Sequence, residues 1–256
     1  MGARWIVLGS GTAVPQPARG PAGHLLEAGG ERVLFDAGSG TLERLARTGV
    51  APDRIDRVFF SHYHPDHVMD LPTLLFALRH PAFDRARTLP VCGPPGLRAI
   101  AAGLEAMFGC WVKPERTRPR WDEIGPGWRA VLPFGTLETA ESRHVPGSLA
   151  YRVTLADGVS LVYTGDTGYS AGLVDFARRA DVLLSECSLA ETAPEDLHLS
   201  PPLAGRMARE ADVRSLVLCH FYPEVLATDI VAAVRREWAG PLRLAADLEA
   251  IALVRS

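Results

Sequence analysis

Five times along this 256-residue chain, a short apolar run ends near a side chain able to hold a metal or a proton. Asp36 follows VLF, His62 stands behind VFF, Asp166 follows LVYTG, Glu186 follows VLLS and His220 follows LVLC. Runs of this length, rich in β-branched and aromatic residues, read as strands buried in a sheet. Strand ends in layered α/β folds open into a shared crevice, where ligands bind. Recurrence at five strand ends therefore favours a fold that gathers those ends, with imidazole and carboxylate as the crevice chemistry.

The densest of these places is SHYHPDHVMD, residues 61–70, where His62, His64, Asp66 and His67 give the pattern H-x-H-x-D-H. Imidazole nitrogen and carboxylate oxygen suit zinc and similar first-row ions. On an extended segment alternate side chains project to one side, so His62 and His64 can grip one ion. Asp66 and His67 lie past Pro65, where the chain turns, and point elsewhere. Two ions are the natural reading. The plain alternative is a surface histidine run or imidazoles satisfied in the core, but compact His/Asp clusters rarely serve no metal.

No long Ser/Gly-rich or Pro-rich linker divides the chain and no repeat of solenoid period is visible, so a single domain over 1–256 is expected. Hydrophobic content of 47% with 22% charged residues is that of a globular chain. A net charge of −3 excludes a general basic field for a nucleic-acid backbone. Cys92, Cys110, Cys187 and Cys219 are scattered with no C-x-x-C, which argues against a zinc ribbon or redox pair and fits a reducing compartment. The opening MGARWIVLGSGTAVP lacks the length of a signal segment or membrane span, so a cytoplasmic protein away from membranes is expected. Strands are predicted over 5–8, 24–27, 32–35, 57–60, 149–155, 160–164, 182–185, 215–219 and 250–254. Helices are predicted over 40–48, 71–80, 96–108, 202–211 and 228–238. The first half meanders and the second alternates strand with helix, which suggests packed sheets with helices outside in one α/β domain.

H-x-H-x-D-H followed by His144 in SRHVPGSLAYRV, Asp166 in YTGDT and His220 in LCHFYP resembles the metallo-β-lactamase superfamily of hydrolases, over essentially the whole chain. The resemblance implies an αβ/βα four-layer sandwich, two β-sheets flanked by helices, with two divalent metals at one edge. It assigns His62, His64 and His144 to one ion and Asp66, His67 and His220 to the other. Asp166 would bridge them, and Asp36 in LFDAGSG would buttress the metal loop. Two close cations repel, and a shared carboxylate with a shared hydroxide offsets that charge. The implied nucleophile is this bridging hydroxide, since metal binding lowers water's pKa from about 15.7 to roughly 7. Asp66 would help orient it. Zinc is the first choice of metal, with manganese or iron(II) as alternatives.

The opening LGSGTAVPQPARGPAGHLLEAGGERVLFDAGSGTL is similar to the start of ribonuclease Z and its smaller relatives. LLSECS, with Glu186, and HLSPPLAGRMARE, with His198, carry the same likeness. It implies a catalytic pair in which His198, held by Glu186, stabilises the scissile phosphate and assists the leaving group. The plain alternatives are a helix-start role for His198 beside Ser200 and a structural ion pair for Glu186. Ribonuclease Z carries a long arm that clamps tRNA between its third-motif histidine and bridging aspartate. Here only 22 positions separate His144 from Asp166, and LAYRVTLADGVSLVY reads as a plain hairpin around Asp157-Gly158, which leaves no room for an arm.

The expected activity is hydrolysis of a small anionic phosphodiester, such as a cyclic nucleotide or cyclic phosphate. RNA cleavage in the manner of ribonuclease Z is the first alternative. Sulfate-ester or acyl-ester hydrolysis is the second, because fold does not fix substrate. A non-enzymatic or redox metal protein ranks last, because the ligand set is intact. Relatives often form homodimers, the one protein partner the resemblance suggests. Arg19 in QPARGP is a candidate contact for an anionic substrate. KPERTRPR, residues 113–120, is expected to be a solvated loop. Trp111, Trp121 and Trp128, with Phe108, either line a substrate pocket or cover the core.

Overall fold

The structure is a computed structural model that describes residues 2–83, 86–191 and 197–254. Its strands are β1 (Arg4–Gly9), β2 (Gly23–Ala28), β3 (Glu31–Ala37), β4 (Arg57–Phe59), β5 (Arg87–Gly93), β6 (Thr117–Glu123) and β7 (Arg129–Leu132). They continue with β8 (Gly135–Glu141), β9 (Leu149–Leu155), β10 (Ser160–Tyr163), β11 (Val182–Glu186), β12 (Leu216–Cys219), β13 (Leu242–Leu244) and β14 (Glu249–Ala252). Two seven-stranded sheets result, in the orders β14-β1-β2-β3-β4-β5-β6 and β13-β12-β11-β10-β9-β8-β7.

Sequence periodicity explains why the sheets stack with helices outside. Along β3, Val33 and Phe35 join the cluster between the sheets, while Leu34 joins the cluster under the helices. Along β10, Leu161 and Tyr163 face the other sheet, while Val162 faces the helices. Both faces of these strands are buried, so they read as unbroken apolar runs. The helices Thr41–Arg47, Asp70–Ala77 and Leu97–Phe108 send Leu45, Leu71, Leu74 and Leu97 into the first outer cluster. Ala171–Phe176, Pro201–Glu210 and Ile230–Arg235 send Leu173, Met207 and Val234 into the second. This is the four-layer αβ/βα sandwich that the sequence resemblance implied. No helix among the described residues is long and apolar enough to cross a membrane.

Both halves have the same design, which corrects the predicted contrast between a meandering first half and an alternating second half. Strands β1, β2 and β3 pair antiparallel, and β3 to β6 pair parallel. Likewise β7 to β10 pair antiparallel, and β10 to β13 parallel. Strands β5 to β8 and β13 were not predicted, and the reason is physical. β6 (TRPRWDE), β7 (RAVL) and β13 (LRL) lie at sheet edges, where charge, proline and short length are tolerated. The solvated loop predicted for residues 113–120 is therefore partly wrong, since Thr117–Arg120 pairs with β5. Two of its charges have acidic partners: Lys113 reaches Glu105 at 2.7 Å and Arg120 reaches Asp122 at 2.7 Å. Between His144 and Asp166 lies the hairpin of β9 and β10, with Gly158 at φ 86° and the Val159 N–H donating to Asp157 Oδ1 at 3.0 Å.

Candidate metal centre

The strand ends of both sheets deliver the polar residues to one place. Asp36 ends β3, and His62 to His67 follow β4. His144 follows β8, Asp166 follows β10, Glu186 ends β11 and His220 follows β12. His64 is extended (φ −62°, ψ 147°), and Pro65 opens the short helix Pro65–Val68, where a missing N–H costs nothing. That turn separates Asp66 and His67 in direction from His62 and His64. Close approach is enforced by glycine: a Cβ on Gly38 would lie 2.0 Å from the Asp66 carbonyl oxygen. Asp36 and His220 adopt left-handed backbone (φ 54° and 57°), a conformation that costs non-glycine residues about 1–3 kcal/mol and concentrates at functional sites.

Groups of ligand-type atoms converge, each within 4.8 Å: His62, His64, His144 and Asp166 form one, Asp66, His67 and His220 another, and His198 makes a third with Asp166 and His220. Asp166 spans them. Its Oδ2 lies 3.8 Å from His62 Nε2 and 3.9 Å from His144 Nε2, while its Oδ1 lies 3.2 Å from His67 Nε2 and 3.3 Å from His220 Nε2. His64 turns Nδ1 toward His144 Nε2 at 3.1 Å, and Asp66 Oδ2 approaches His220 Nε2 at 3.5 Å. The predicted site residues are thus brought together. Two of the buried atoms, His62 Nε2 and Asp166 Oδ1, have no hydrogen-bond partner. Leaving such atoms unsatisfied costs about 1–3 kcal/mol each, and a cation among these nitrogen and oxygen donors would satisfy both. The residues fit a metal pair.

Outside the cluster, His62, His67, His144 and His220 are each steered from Nδ1. Asp36 is the hub on the first sheet: it accepts from Ser61 N and Ser61 Oγ at 2.7 Å, from Tyr163 OH at 2.6 Å and from His67 Nδ1 at 2.9 Å. Burial alone would raise its pKa, but the His67 imidazole and these donors lower it. Burial would likewise lower His67, yet Asp166 and Asp36 outweigh it and hold that imidazole well above its ordinary range. His144 Nδ1 meets the Leu197 carbonyl at 3.1 Å, which turns Nε2 inward. Burial and neighbouring His67 push His62 the other way, down to about 2.

Glu186 and His198 form a second unit beside the cluster, with His198 Nδ1 2.8 Å from Glu186 Oε1. The His198 ring centroid lies 4.7 Å from that of His144 and 6.0 Å from that of His220. Its side chain is 22% exposed against 4% for His220. Burial lowers its pKa, but the hydrogen bond and charge of Glu186 more than reverse this and hold it at about 9.

Arg19, the candidate contact for an anionic substrate, is engaged within the protein. Its Nη1 donates to Ser10 Oγ at 2.6 Å and to the Ala245 carbonyl at 2.5 Å, and the group lies over the Phe221 ring at 4.8 Å. The tryptophans divide. Trp128 packs on the core between the sheets and Trp121 on that under the helices, whereas Trp111 is exposed beside Phe76. Sequence reading missed Ser61, Tyr163, Ser188 and Tyr222, the last ring standing edge-on to His198 and His220. Their adjacency to the five strand ends was the available signal.

Facing sheets with a His/Asp cluster at their strand ends define a hydrolase of metallo-β-lactamase type, a fold that implies divalent-metal binding. Residues 31–221 match the Beta-lactamase superfamily domain. Ribonuclease Z of Mycobacterium avium is 30% identical over 277 residues, spanning 96% of each chain. The metallo-β-lactamase fold protein YhfI from Bacillus subtilis superposes with a TM-score of 0.85 at 24% identity, over 98% of this chain and 99% of that one. Human short-form tRNase Z gives 0.78 at 24% identity, over 98% and 100%. The chain belongs to the beta-lactamase superfamily, in its ribonuclease Z-like branch.

Proposed function

We propose that this protein is a phosphodiesterase for small anionic substrates of the cyclic nucleotide or cyclic phosphate kind. The observation that carries the reading is the Glu186–His198 pair, 2.8 Å apart, set beside a cluster able to hold two cations. In this reading His62, His64 and His144 would hold one ion and Asp66, His67 and His220 the other, with Asp166 a ligand available to both. Zinc is the proposed metal, because the donors are nitrogen and oxygen. Two such ions would supply a nucleophile from water at neutral pH and neutralise the oxygens on phosphorus.

The remaining chemistry belongs to side chains. Asp66 orients the attacking water. His198, held in its charged form by Glu186, donates from Nε2 to the leaving oxygen, as a proton donor must. The carboxylate also keeps the imidazole from rotating, because Oε1 accepts from Nδ1. A small substrate is favoured over RNA because the chain between His144 and Asp166 is a bare hairpin and the net charge is −3. RNA cleavage remains the second reading, supported by the likeness to ribonuclease Z. The four cysteines are unpaired, which supports a reducing, cytoplasmic setting.

A screen on metal-analysed protein tests the proposal, using cyclic nucleotides, a chromogenic phosphodiester, sulfate and acyl esters, and a tRNA precursor. Turnover of the phosphodiesters well above the rest is expected. Preferential cleavage of the tRNA precursor, or of an acyl or sulfate ester, would overturn it.

A further inference from the structure

We infer that Ser188 is a positioning residue: with Glu186 it fixes His220 as the Nδ1–H tautomer and turns its Nε2 lone pair into the cluster. The inference rests on the reading of His220 as a metal ligand. Ser188 Oγ lies 2.6 Å from Glu186 Oε2, 2.9 Å from His220 Nδ1 and 3.0 Å from the His220 carbonyl. Which of the three takes its single proton decides the tautomer.

The Glu186 carboxylate accepts from the Thr167 N–H at 2.6 Å and the Leu199 N–H at 3.2 Å, groups that can only donate. Its contact with Ser188 is the shortest of the serine's three, and a hydroxyl donating to a carboxylate makes a stronger bond than one donating to a neutral partner. The serine proton therefore goes to Glu186. The lone pairs of Oγ then face His220 Nδ1, which must carry a hydrogen to make its 2.9 Å contact. In the neutral imidazole Nε2 is then the lone-pair nitrogen, 3.3 Å from Asp166 Oδ1 and 3.5 Å from Asp66 Oδ2, where a cation would sit.

The same device occurs on the other sheet. Ser61 Oγ donates to Asp36 Oδ2 at 2.7 Å and faces His62 Nδ1 at 3.0 Å, in the same order of carboxylate, serine and imidazole. One such relay therefore serves each ligand group. The Glu186 relay does more than its counterpart, because the other oxygen of that carboxylate meets His198 Nδ1 at 2.8 Å. A single buried carboxylate thereby orients both the proposed proton donor and a ligand.

Two measurements on Ser188→Ala test this, with Ser188→Thr as the variant that keeps the hydroxyl. Histidine ¹⁵N shifts are recorded on metal-free protein at a pH where His220 carries a single ring proton, and zinc affinity is measured by chelator competition. Metal-free wild type and Ser188→Thr should show His220 as the Nδ1–H tautomer, whereas Ser188→Ala should show a mixture. Zinc affinity should fall about 10- to 100-fold in Ser188→Ala and be largely restored in Ser188→Thr. A His220 tautomer unchanged in Ser188→Ala would overturn the relay, whether or not zinc binds. Failure of wild type to bind zinc would instead overturn the assignment of His220 as a ligand, and the tautomer measurement would still decide the relay.

Discussion

Nε2 of His67 and Nε2 of His220 stand 3.3 Å apart, although 153 positions separate the residues and each follows a strand of a different sheet. Both nitrogens also face Asp166 Oδ1, at 3.2 and 3.3 Å. Protons alone satisfy such a cluster poorly, and His62 Nε2 remains unpartnered beside it. Purified protein should therefore contain close to two equivalents of divalent metal per chain. Asp166→Ala, which removes the carboxylate between the groups, should lose both metal and activity. Elemental analysis checks this, and full turnover with one ion or none would refute the dinuclear reading.

His198 occupies a different position in the chemistry. It is tied to Glu186 outside the main ligand groups, so His198→Ala should keep its metal and melting temperature. Its kcat should fall by about 100- to 10,000-fold, the usual range for general acid catalysis. A smaller loss with a leaving group that needs no proton, such as p-nitrophenolate, would support the role. Unchanged kcat on the best natural substrate would remove His198 from the mechanism.

The pH dependence follows from the same pair. His198 is held at about 9, above its ordinary 6.5, so its donor form is complete below that range and lost as pH rises through it. The rate should therefore fall on the alkaline side near pH 9. In Glu186→Gln the largest raising influence is gone, with Asp166 and Asp66 still raising the imidazole against burial, so the alkaline limb should move down from about 9 toward 6.5. A limb that stays in place would detach it from His198.

The site was more legible in the sequence than the sheet edges were. Residues such as His62 and Asp166 stand behind runs buried on both faces, and those runs announce themselves by apolar content alone. β6 could not be read this way, because Pro119 and four charged residues in TRPRWDE are compatible with an edge strand only once the fold is known. The groups that steer the clustered imidazoles from outside were also hidden. Ser61 and Ser188 are ordinary serines in sequence, and only their contacts with Asp36 and Glu186 distinguish them.

Arg19 was expected to meet substrate, and its contacts give it a different task. It joins Ser10, behind β1, to the Ala245 carbonyl, behind β13. Arg19→Ala should leave KM for the best substrate nearly unchanged. Stability should fall by about 1–3 kcal/mol, because hydrogen bonds from a charged donor are lost at part-buried acceptors. A large rise in KM with unaltered unfolding in urea would restore the substrate role.

The approach of the two loops of the first sheet depends on one missing side chain. Gly38 follows Asp36, the hub that holds His67, and a Cβ there would fall 2.0 Å from the Asp66 carbonyl and 2.7 Å from Pro21 Cβ. The first of these atoms is backbone in the turn that carries Asp66 and His67, so the clash cannot be relieved by rotating a side chain. Gly38→Ala must push that turn away from Asp36 and lengthen the 2.9 Å contact between Asp36 and His67 Nδ1. Overpacking of this kind costs about 1–3 kcal/mol. Melting temperature and zinc affinity should therefore fall together in Gly38→Ala, with zinc recovering part of the lost stability as its concentration rises. A variant with wild-type melting temperature and zinc affinity would show that the turn yields without disturbing the site.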